Sequence, residues 1–330
     1  MKIIIPMAGV GTRMRPHTLT IPKPLISIAG KSIVQHLIER IDSVIEEKIE
    51  EIAFVIGDFG SEVENELKNI AKKVGAVPKI YYQHTPKGTG HAIWCASESL
   101  KGKVVIAFAD TLFYADFKIK DTDEAIIWVQ KVKNPSSFGV VTLDKNNIIN
   151  GFVEKPKEFV SDLAIIGIYY YKSGELLQKE LQYLIDNKIT RAGEYEITGA
   201  LERLRKNGMM FKPEKVEEWL DCGNKEITID THSRILQRNK NMISKKAIIK
   251  NSLVIEPCYI GDGSQIINSV VGPDVSVGNN SIINSSIIKN SIIQNQTEIN
   301  NSCLDRSMIG NFVKINNILK SLNVGDYNEL

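Results

Sequence analysis

The segment Gly9-Val10-Gly11-Thr12-Arg13-Met14-Arg15-Pro16, running on to Pro22-Lys23-Pro24-Leu25, holds the densest chemistry in the chain. Its glycine loop leaves backbone N–H groups free at a helix entrance, with two or three cations close by in sequence. That combination suits a polyanion such as a nucleoside triphosphate. Two familiar phosphate patterns nearly fit and fail. The dinucleotide fingerprint needs a third glycine where helix and strand approach closely, and Met14 stands there. Gly30-Lys31-Ser32 imitates the end of a P-loop, but Leu25 occupies the place of its first glycine. The glycines alone fit a tight turn with surface arginines equally well. Asp110 and Asp221 each follow a strand-like apolar run, and either alone reads as a turn-capping residue.

The elements that must position these residues are legible in the spacing of apolar side chains. Ile3-Ile4-Ile5 reads as a buried strand, followed by the glycine loop. Ile33, Leu37, Ile41 and Val44/Ile45 recur at helical spacing from about residue 31. Strands are expected at 52–56, 79–82 and 103–108, and helices at 61–73 and 90–100. This alternation predicts βα units feeding a largely parallel sheet. Beyond Asp110 come strands at 125–132, 138–143, 148–154 and 164–171, helices at 174–187 and 196–206, a strand-like run closing at Asp221, and a helix at 224–239. These elements predict a first domain over 1–240.

From Ala247 onward the pattern changes. Asn251-Ser252-Leu253-Val254, Asn268-Ser269-Val270-Val271, Asn280-Ser281-Ile282-Ile283, Asn290-Ser291-Ile292-Ile293 and Asn301-Ser302-Cys303-Leu304 recur, and Val254, Ile260 and Ile266 fall six residues apart. A short β-branched rung cannot bury itself, so stacked rungs form one continuous interior. A hexapeptide-like left-handed parallel β-helix is expected over 241–330. The fold class is therefore α/β: a Rossmann-like mixed, mostly parallel sheet followed by that β-helix.

Composition narrows the classes of function. The 330 residues carry 41 Lys plus Arg against 39 Asp plus Glu, a formal net charge of +2, which gives no basic surplus for nucleic acid or anionic lipid. Hydrophobic residues make up 43% and charged residues 24%, as in a globular chain. Cys95, Cys222, Cys258 and Cys303 lie far apart with no C-x-x-C pair, so reduced structural thiols are expected. No stretch approaches a membrane span or a signal-peptide apolar region. These readings predict a cytoplasmic protein with no nucleic-acid or membrane partner.

The stretch at 9–18, with Pro22-Lys23-Pro24-Leu25 behind it, resembles the signature of the sugar-1-phosphate nucleotidyltransferases, also called nucleotide-sugar pyrophosphorylases. More strings similar to that family follow in order: Gln83 with Pro86-Lys87-Gly88-Thr89-Gly90-His91-Ala92, Ala109-Asp110, Phe138-Gly139-Val140-Val141, Val153-Glu154-Lys155-Pro156, Gly193-Glu194-Tyr195-Glu196-Ile197-Thr198 and Trp219-Leu220-Asp221-Cys222-Gly223. The resemblance covers residues 1 to about 240, and the repeats look like the β-helix of longer family members.

The resemblance implies that a sugar 1-phosphate attacks the α-phosphorus of a nucleoside triphosphate, the expected substrates being glucose 1-phosphate with dTTP or UTP. The attacking phosphate is already ionised, so positioning and charge neutralisation must do the work. By the same resemblance Arg13 and Lys23 contact the triphosphate and Lys155 holds the sugar phosphate. Asp110 and Asp221 coordinate Mg²⁺, a hard cation satisfied by one or two carboxylates plus phosphate oxygens and water. Ala8, Gly9, Gly11, Thr12, Gln83, Pro86, Gly88, Thr89 and Asp110 complete the nucleotide site; Gly139, Glu154, Ile168 and Tyr169 fall in the sugar pocket. Ala109 stands where the family has glycine. His91 reads as packing at a helix N-terminus, and His17 and His84 as loop residues near the nucleotide. Two alternatives stand beside this one. A bifunctional UDP-N-acetylglucosamine-type pyrophosphorylase and acyltransferase would need an imidazole base on the β-helix, yet no histidine follows His232. A non-catalytic regulatory subunit would be expected to have lost Arg13, Lys23, Asp110, Lys155 or Asp221. The β-helix is then expected to serve homo-oligomer assembly or allosteric control.

Overall fold

The computed structural model describes residues 1–116, 119–239, 242–319 and 321–330. The expected domain boundary at 240/241 lies outside the described residues. The chain divides into two compact units, Met1–Gly9 with Leu37–Leu220, and Val10–His36 with Asp221–Leu330.

Along the chain, β1 (Lys2–Pro6) precedes a hairpin, β2 (Ser27–Ile28) and β3 (Lys31–Ser32), then α1 (Ile33–Val44), β4 (Glu51–Ile56), α2 (Ser61–Lys73) and β5 (Val77–Tyr82). There follow α3 (Thr89–Cys95), β6 (Val104–Ala107), β7 (Thr111–Tyr114), β8 (Ala125–Lys131), β9 (Gly139–Leu143) and β10 (Ile149–Glu154). The series closes with β11 (Leu163–Tyr171), α4 (Gly174–Asp186), α5 (Ile197–Lys206), β12 (Phe211–Lys215), β13 (Glu218–Asp221) and α6 (Lys225–Arg238).

The first unit is built on a sheet ordered β10-β9-β11-β6-β1-β4-β5, with β8 joined to β11 and β12 to β8. β1, β4, β5 and β6 run parallel, and β11 turns antiparallel against β6. Ile3, Ile4 and Ile5 are fully buried, as are Ile52 to Ile56, which is why these strands read as continuous apolar runs rather than alternating ones. The sheet is thus mixed and mostly parallel at its centre, as the sequence predicts. The helix expected at 90–100 stops at Cys95 and gives way to a separate helical turn, Ser97–Ser99. Serines there offer the backbone and neighbouring groups other partners, and Ser99 Oγ pairs with the Tyr81 hydroxyl at 2.9 Å. β12 escapes sequence reading because Phe-Lys-Pro-Glu-Lys lacks a strand pattern; its proline is tolerated on an edge.

In the second unit the repeats form stacked parallel strands in sheets of six, five and four, a left-handed parallel β-helix. Ile260, Ile266, Val271, Val277, Ile283, Ile288, Ile293, Ile299, Leu304, Ile309 and Ile315 point inward as one apolar column. The six-residue spacing holds only in part. Serine contacts between successive coils span 17 residues at first, then 16 and finally 15, because some sides take five residues instead of six.

The recurrent Asn-Ser pair has two jobs. Asn251, Asn268, Asn280, Asn290 and Asn301 hold positive φ between 46° and 55°, the left-handed corner conformation that asparagine tolerates better than most residues. The serine after the corner turns inward, Ser286 doing so after a left-handed Ser285. Ser252 Oγ accepts from Ser269 N, Ser269 Oγ from Ser286 N, and Ser286 Oγ from Ser302 N at 3.0 to 3.1 Å. The ladder satisfies backbone donors that the tight corners leave without strand partners. Helix α6 lies along the six-stranded side, with His232 Nε2 2.6 Å from Ser276 Oγ and Arg306 bonded to Glu226 and Asp230. The four cysteines are free. Among the described residues no helix is long and apolar enough to cross a membrane.

Candidate functional site

In the first unit, parallel strands deliver their loops to one edge. Ala8 and Gly9 follow β1, Gly57 follows β4, Gln83 follows β5, and Ala109-Asp110 follow β6. The carboxyl edge of parallel strands is where α/β sheets bind ligands. Gly9 has open space around it, and Gly57 leaves room beside the Ala8 carbonyl. Asp110 sits in a turn pinned on both sides: Phe108 N donates to Gly167 O at 2.9 Å, and Thr111 Oγ1 donates to Ile166 O at 2.8 Å.

Gln83 is buried and its amide is oriented. Nε2 donates to Gly88 O at 3.1 Å and meets His91 Nδ1 at 3.0 Å. Both amide hydrogens are therefore spent, and Oε1 is the group left to accept from a ligand. Accepting at Nδ1 places the His91 proton on Nε2, and burial, helped by Lys87, holds the His91 pKa below its ordinary value. His91 is thus more than packing; the eight-residue spacing from Gln83, across a glycine turn, was the available signal. His84 stacks on Tyr82 with centroids 5.5 Å apart.

The Gly88-Thr89-Gly90 turn is zipped to the Tyr195 segment. Tyr195 N donates to Lys87 O, Gly90 N to Tyr195 O at 2.7 Å, and Ile197 N to Thr89 Oγ1 at 3.1 Å. Gly88 has φ +99°, and a Cβ there would lie 2.6 Å from Tyr195 O, so no other residue fits. Pro86 and Thr89 are exposed on this loop.

Gly139 and Glu154 are register partners across β9 and β10. A Cβ on Gly139 would stand 3.0 Å from Glu154 Oε2 and 3.5 Å from the Thr198 methyl. Lys155 follows in the left-handed region, φ +40°, with its side chain 63% exposed and Nζ 3.9 Å from Glu154 Oε1. Burial and the nearby Glu154 charge push the Glu196 pKa up. Glu196 and Thr198 are members of this group that sequence reasoning did not assign; the Gly-Glu-Tyr-Glu-Ile-Thr string was their only trace. Ile168 and Tyr169 lie behind, on β11 opposite Ala107 and Ile106, and both are buried. Burial drives the Tyr169 hydroxyl pKa strongly upward, so it stays neutral.

In the second unit, Gly11 adopts φ +64° and begins the helical turn Thr12–Met14. A Cβ on Gly11 would press to 3.0 Å from Lys23 Cβ and 3.1 Å from the Thr18 methyl, so glycine brings the two halves of the loop together. Thr18 Oγ1 closes it onto Gly11 O at 2.9 Å. Thr12 and Arg13 are exposed, whereas Lys23 is buried. Met14, which spoils the dinucleotide fingerprint, is a buried plug against α6, its sulfur 3.6 Å from Thr228 Oγ1. The same helix holds the other end of the unit's site, since Thr231 Oγ1 donates to Asp221 O at 2.6 Å. A Cβ at Gly223 would come within 2.8 Å of Asp221 Oδ2, so a side chain there would make that carboxylate shift.

The nucleotidyl transferase family model matches residues 2–238. The chain is 33% identical over 272 residues to the bifunctional protein GlmU of Methanococcus maripaludis strain S2, covering 78% of this chain and 62% of that protein. The chain thus spans about three-fifths of the length of such relatives. It is 28% identical over 307 residues to glucose-1-phosphate thymidylyltransferase of Streptomyces antibioticus, covering 85% and 83%. Two solved structures share the fold: a glucose-1-phosphate thymidylyltransferase from Bacillus anthracis in complex with sucrose, at TM-score 0.60 and 23% identity over 73% of this chain and 96% of that one, and a UDP-glucose pyrophosphorylase complexed with UDP-glucose, at 0.58 and 24% over 72% and 99%. With most of its length matched by one family model, the chain belongs to the nucleotidyl transferase family.

Proposed function

We propose that this enzyme joins dTTP or UTP to a sugar 1-phosphate, glucose 1-phosphate first among them, giving the nucleoside diphosphate sugar and pyrophosphate. The observation that carries the base preference is the oriented Gln83 amide. With both N–H groups committed, Oε1 offers an acceptor, which suits the imino N–H of thymine or uracil and opposes cytosine, whose N3 is itself an acceptor. Guanine also presents an N–H edge, so the amide argues against cytosine more strongly than for one pyrimidine.

An oxygen of the sugar phosphate attacks the α-phosphorus in line, and the bond from that phosphorus to the bridging oxygen of pyrophosphate breaks. No proton need move. Lys155 and Glu154 take the sugar phosphate and a sugar hydroxyl, while Arg13 and Lys23 spread the charge gathering on the leaving group. Asp110 and Asp221, each a hard carboxylate, are the residues that the family resemblance proposes for Mg²⁺, which would supply positive charge against the phosphate oxygens. Pyrophosphate release from dTTP, UTP, GTP, CTP and ATP, each with glucose 1-phosphate, tests the base assignment. Turnover with dTTP or UTP should exceed that with CTP at least about tenfold; CTP as the best donor would overturn it.

The relatives called bifunctional protein GlmU favour a second reading, a UDP-N-acetylglucosamine-type pyrophosphorylase whose β-helix also transfers an acyl group. The last histidine, His232, is fully buried on α6 against Ser276, so the coils carry no imidazole base. Consumption of acetyl-CoA with turnover would restore this reading.

A further inference from the structure

We propose that the last coil of the β-helix is a positioning element of the triphosphate loop, acting through Asn323 and Asp326. The inference rests on the proposed role of residues 11–23 in holding the triphosphate, and it assigns the β-helix a part in catalysis distinct from assembly.

The residues involved all belong to the second unit. His17, inside the signature stretch, is buried, and its Nε2 meets Asn323 Oδ1 at 3.0 Å. Asn323 Nδ2 also reaches Arg15 O at 3.4 Å. Thr20 Oγ1 donates to Asp326 Oδ2 at 2.5 Å. Between these two contacts Gly325 lies against Pro16, where a Cβ would stand 3.0 Å from Pro16 Cβ. Three consecutive features of one coil therefore grip 15–20, the stretch directly between Arg13 and Lys23.

The grip is itself rigid. Asp326 Oδ1 accepts from Asn311 N at 2.6 Å and lies within 3.3 Å of Asn311 Nδ2, one coil earlier. Gly310 also leaves this carboxylate its space, since a Cβ there would collide with it. A carboxylate held by a backbone N–H is a fixed acceptor, and a threonine bonded to it loses the freedom that would let its loop wander.

The contact continues along the same side of the β-helix. Tyr259, Ser276, Ile292, Met308 and Asn323 are successive register partners on the six-stranded sheet and point away from its interior column. Ile292 and Met308 are nevertheless buried. Gly30 packs on the Tyr259 ring, and Gln294 Nε2 donates to Ser27 O at 2.8 Å. Tyr259 and Asn323 of this column thus meet residues 15–30 while Ser276 meets α6, and the polar fastening lies at the last coil. Burial keeps the His17 pKa low, so the imidazole that meets Asn323 Oδ1 is neutral.

The test uses the full chain with Mg²⁺, and measures dTTP and UTP binding by calorimetry alongside steady-state kinetics with glucose 1-phosphate. Asp326→Ala, Asn323→Ala and Thr20→Val should each weaken nucleoside triphosphate binding about five- to tenfold and leave KM for glucose 1-phosphate within about twofold. Thr20→Val combined with Asp326→Ala should be no worse than the poorer single variant, because both remove one contact. Asn316→Ala, at an outward amide of the five-stranded sheet, should bind nucleotide as the parent does. Unchanged nucleotide binding in folded single variants would overturn the proposal, as would additive losses in the double variant or equal losses for both substrates. If a parent chain binds nucleotide but releases no pyrophosphate with any sugar phosphate, the proposed reaction fails while the binding arm still decides this proposal; a parent that binds no nucleoside triphosphate overturns both.

Discussion

At the scale of single residues, the two aspartates and the lysine of β10's end carry distinct expectations. Asp110→Asn and Asp221→Asn remove a charge with little change of shape, so turnover should fall by about three orders of magnitude or more while the melting temperature holds. Pyrophosphate release read beside thermal unfolding checks this, and undiminished turnover in both would refute the metal assignment. Lys155→Ala should raise KM for the sugar phosphate and leave KM for the nucleotide nearly unchanged, since Lys155 lies beside Glu154. Much of this site was legible in the sequence because residue type and order carry it: Asp110, Glu154, Lys155 and Gln83 stand in strings whose chemistry is local. What stayed hidden was set by folding. Glu196 and Thr198 join Gly139 and Glu154 only because α5 packs beside β10, and His91 orients Gln83 only because the glycine turn folds back.

At the scale of elements, two kinds of glycine and serine sites make predictions. Gly88→Ala should disrupt the turn that bonds to Tyr195, because φ is +99° and the new methyl would meet Tyr195 O at 2.6 Å. A loss of about 1 to 3 kcal/mol with a matching fall in nucleotide affinity is expected from chemical denaturation and calorimetry. Ser286→Ala leaves Ser302 N without its acceptor in a buried corner and should cost about 1 to 3 kcal/mol. Ile287→Ala, exposed one position later, should cost less than about 1 kcal/mol. The β-helix was readable from the recurrence of β-branched pairs, but its coil length was not. Steps of six and of five alternate irregularly along the inward column, and left-handed corners fall on Asp274, Ser285, Gln296, Arg306 and Phe312 as well as on asparagines, so no single residue type marks the coil length. Short elements such as β2, β3 and β12 were unreadable for a simpler reason: two to five residues of mixed polarity have no period to detect.

At the scale of the whole molecule, buried neutral histidines set an acid limit. Burial lowers the His232 pKa from 6.5 to about 3, and His17 and His91 shift in the same direction. As pH falls below about 6.5 the unfolded chain takes up protons that the folded chain refuses, so stability is fully present above that value and declines toward the folded pKa. His232 alone should remove of order 3 kcal/mol between pH 7 and pH 4. Denaturant titrations should show His232→Gln starting less stable at pH 7 but losing less on acidification; an equal slope would contradict the assignment. The discontinuous second unit, in which residues 10–36 group with the β-helix instead of with β1, could not be read from the sequence, since 267 to 306 residues separate the partners.

The central claim is transfer of a nucleotidyl group to a sugar phosphate, and phosphorus NMR of one reaction tests it most directly. With full-length protein, Mg²⁺, dTTP and glucose 1-phosphate, the diphosphate diester of a nucleoside diphosphate sugar and free pyrophosphate should appear in equal amounts as both substrates disappear, and UTP should give the same pattern. Orthophosphate with nucleoside diphosphate and unconsumed glucose 1-phosphate would mean hydrolysis, and would contradict the account.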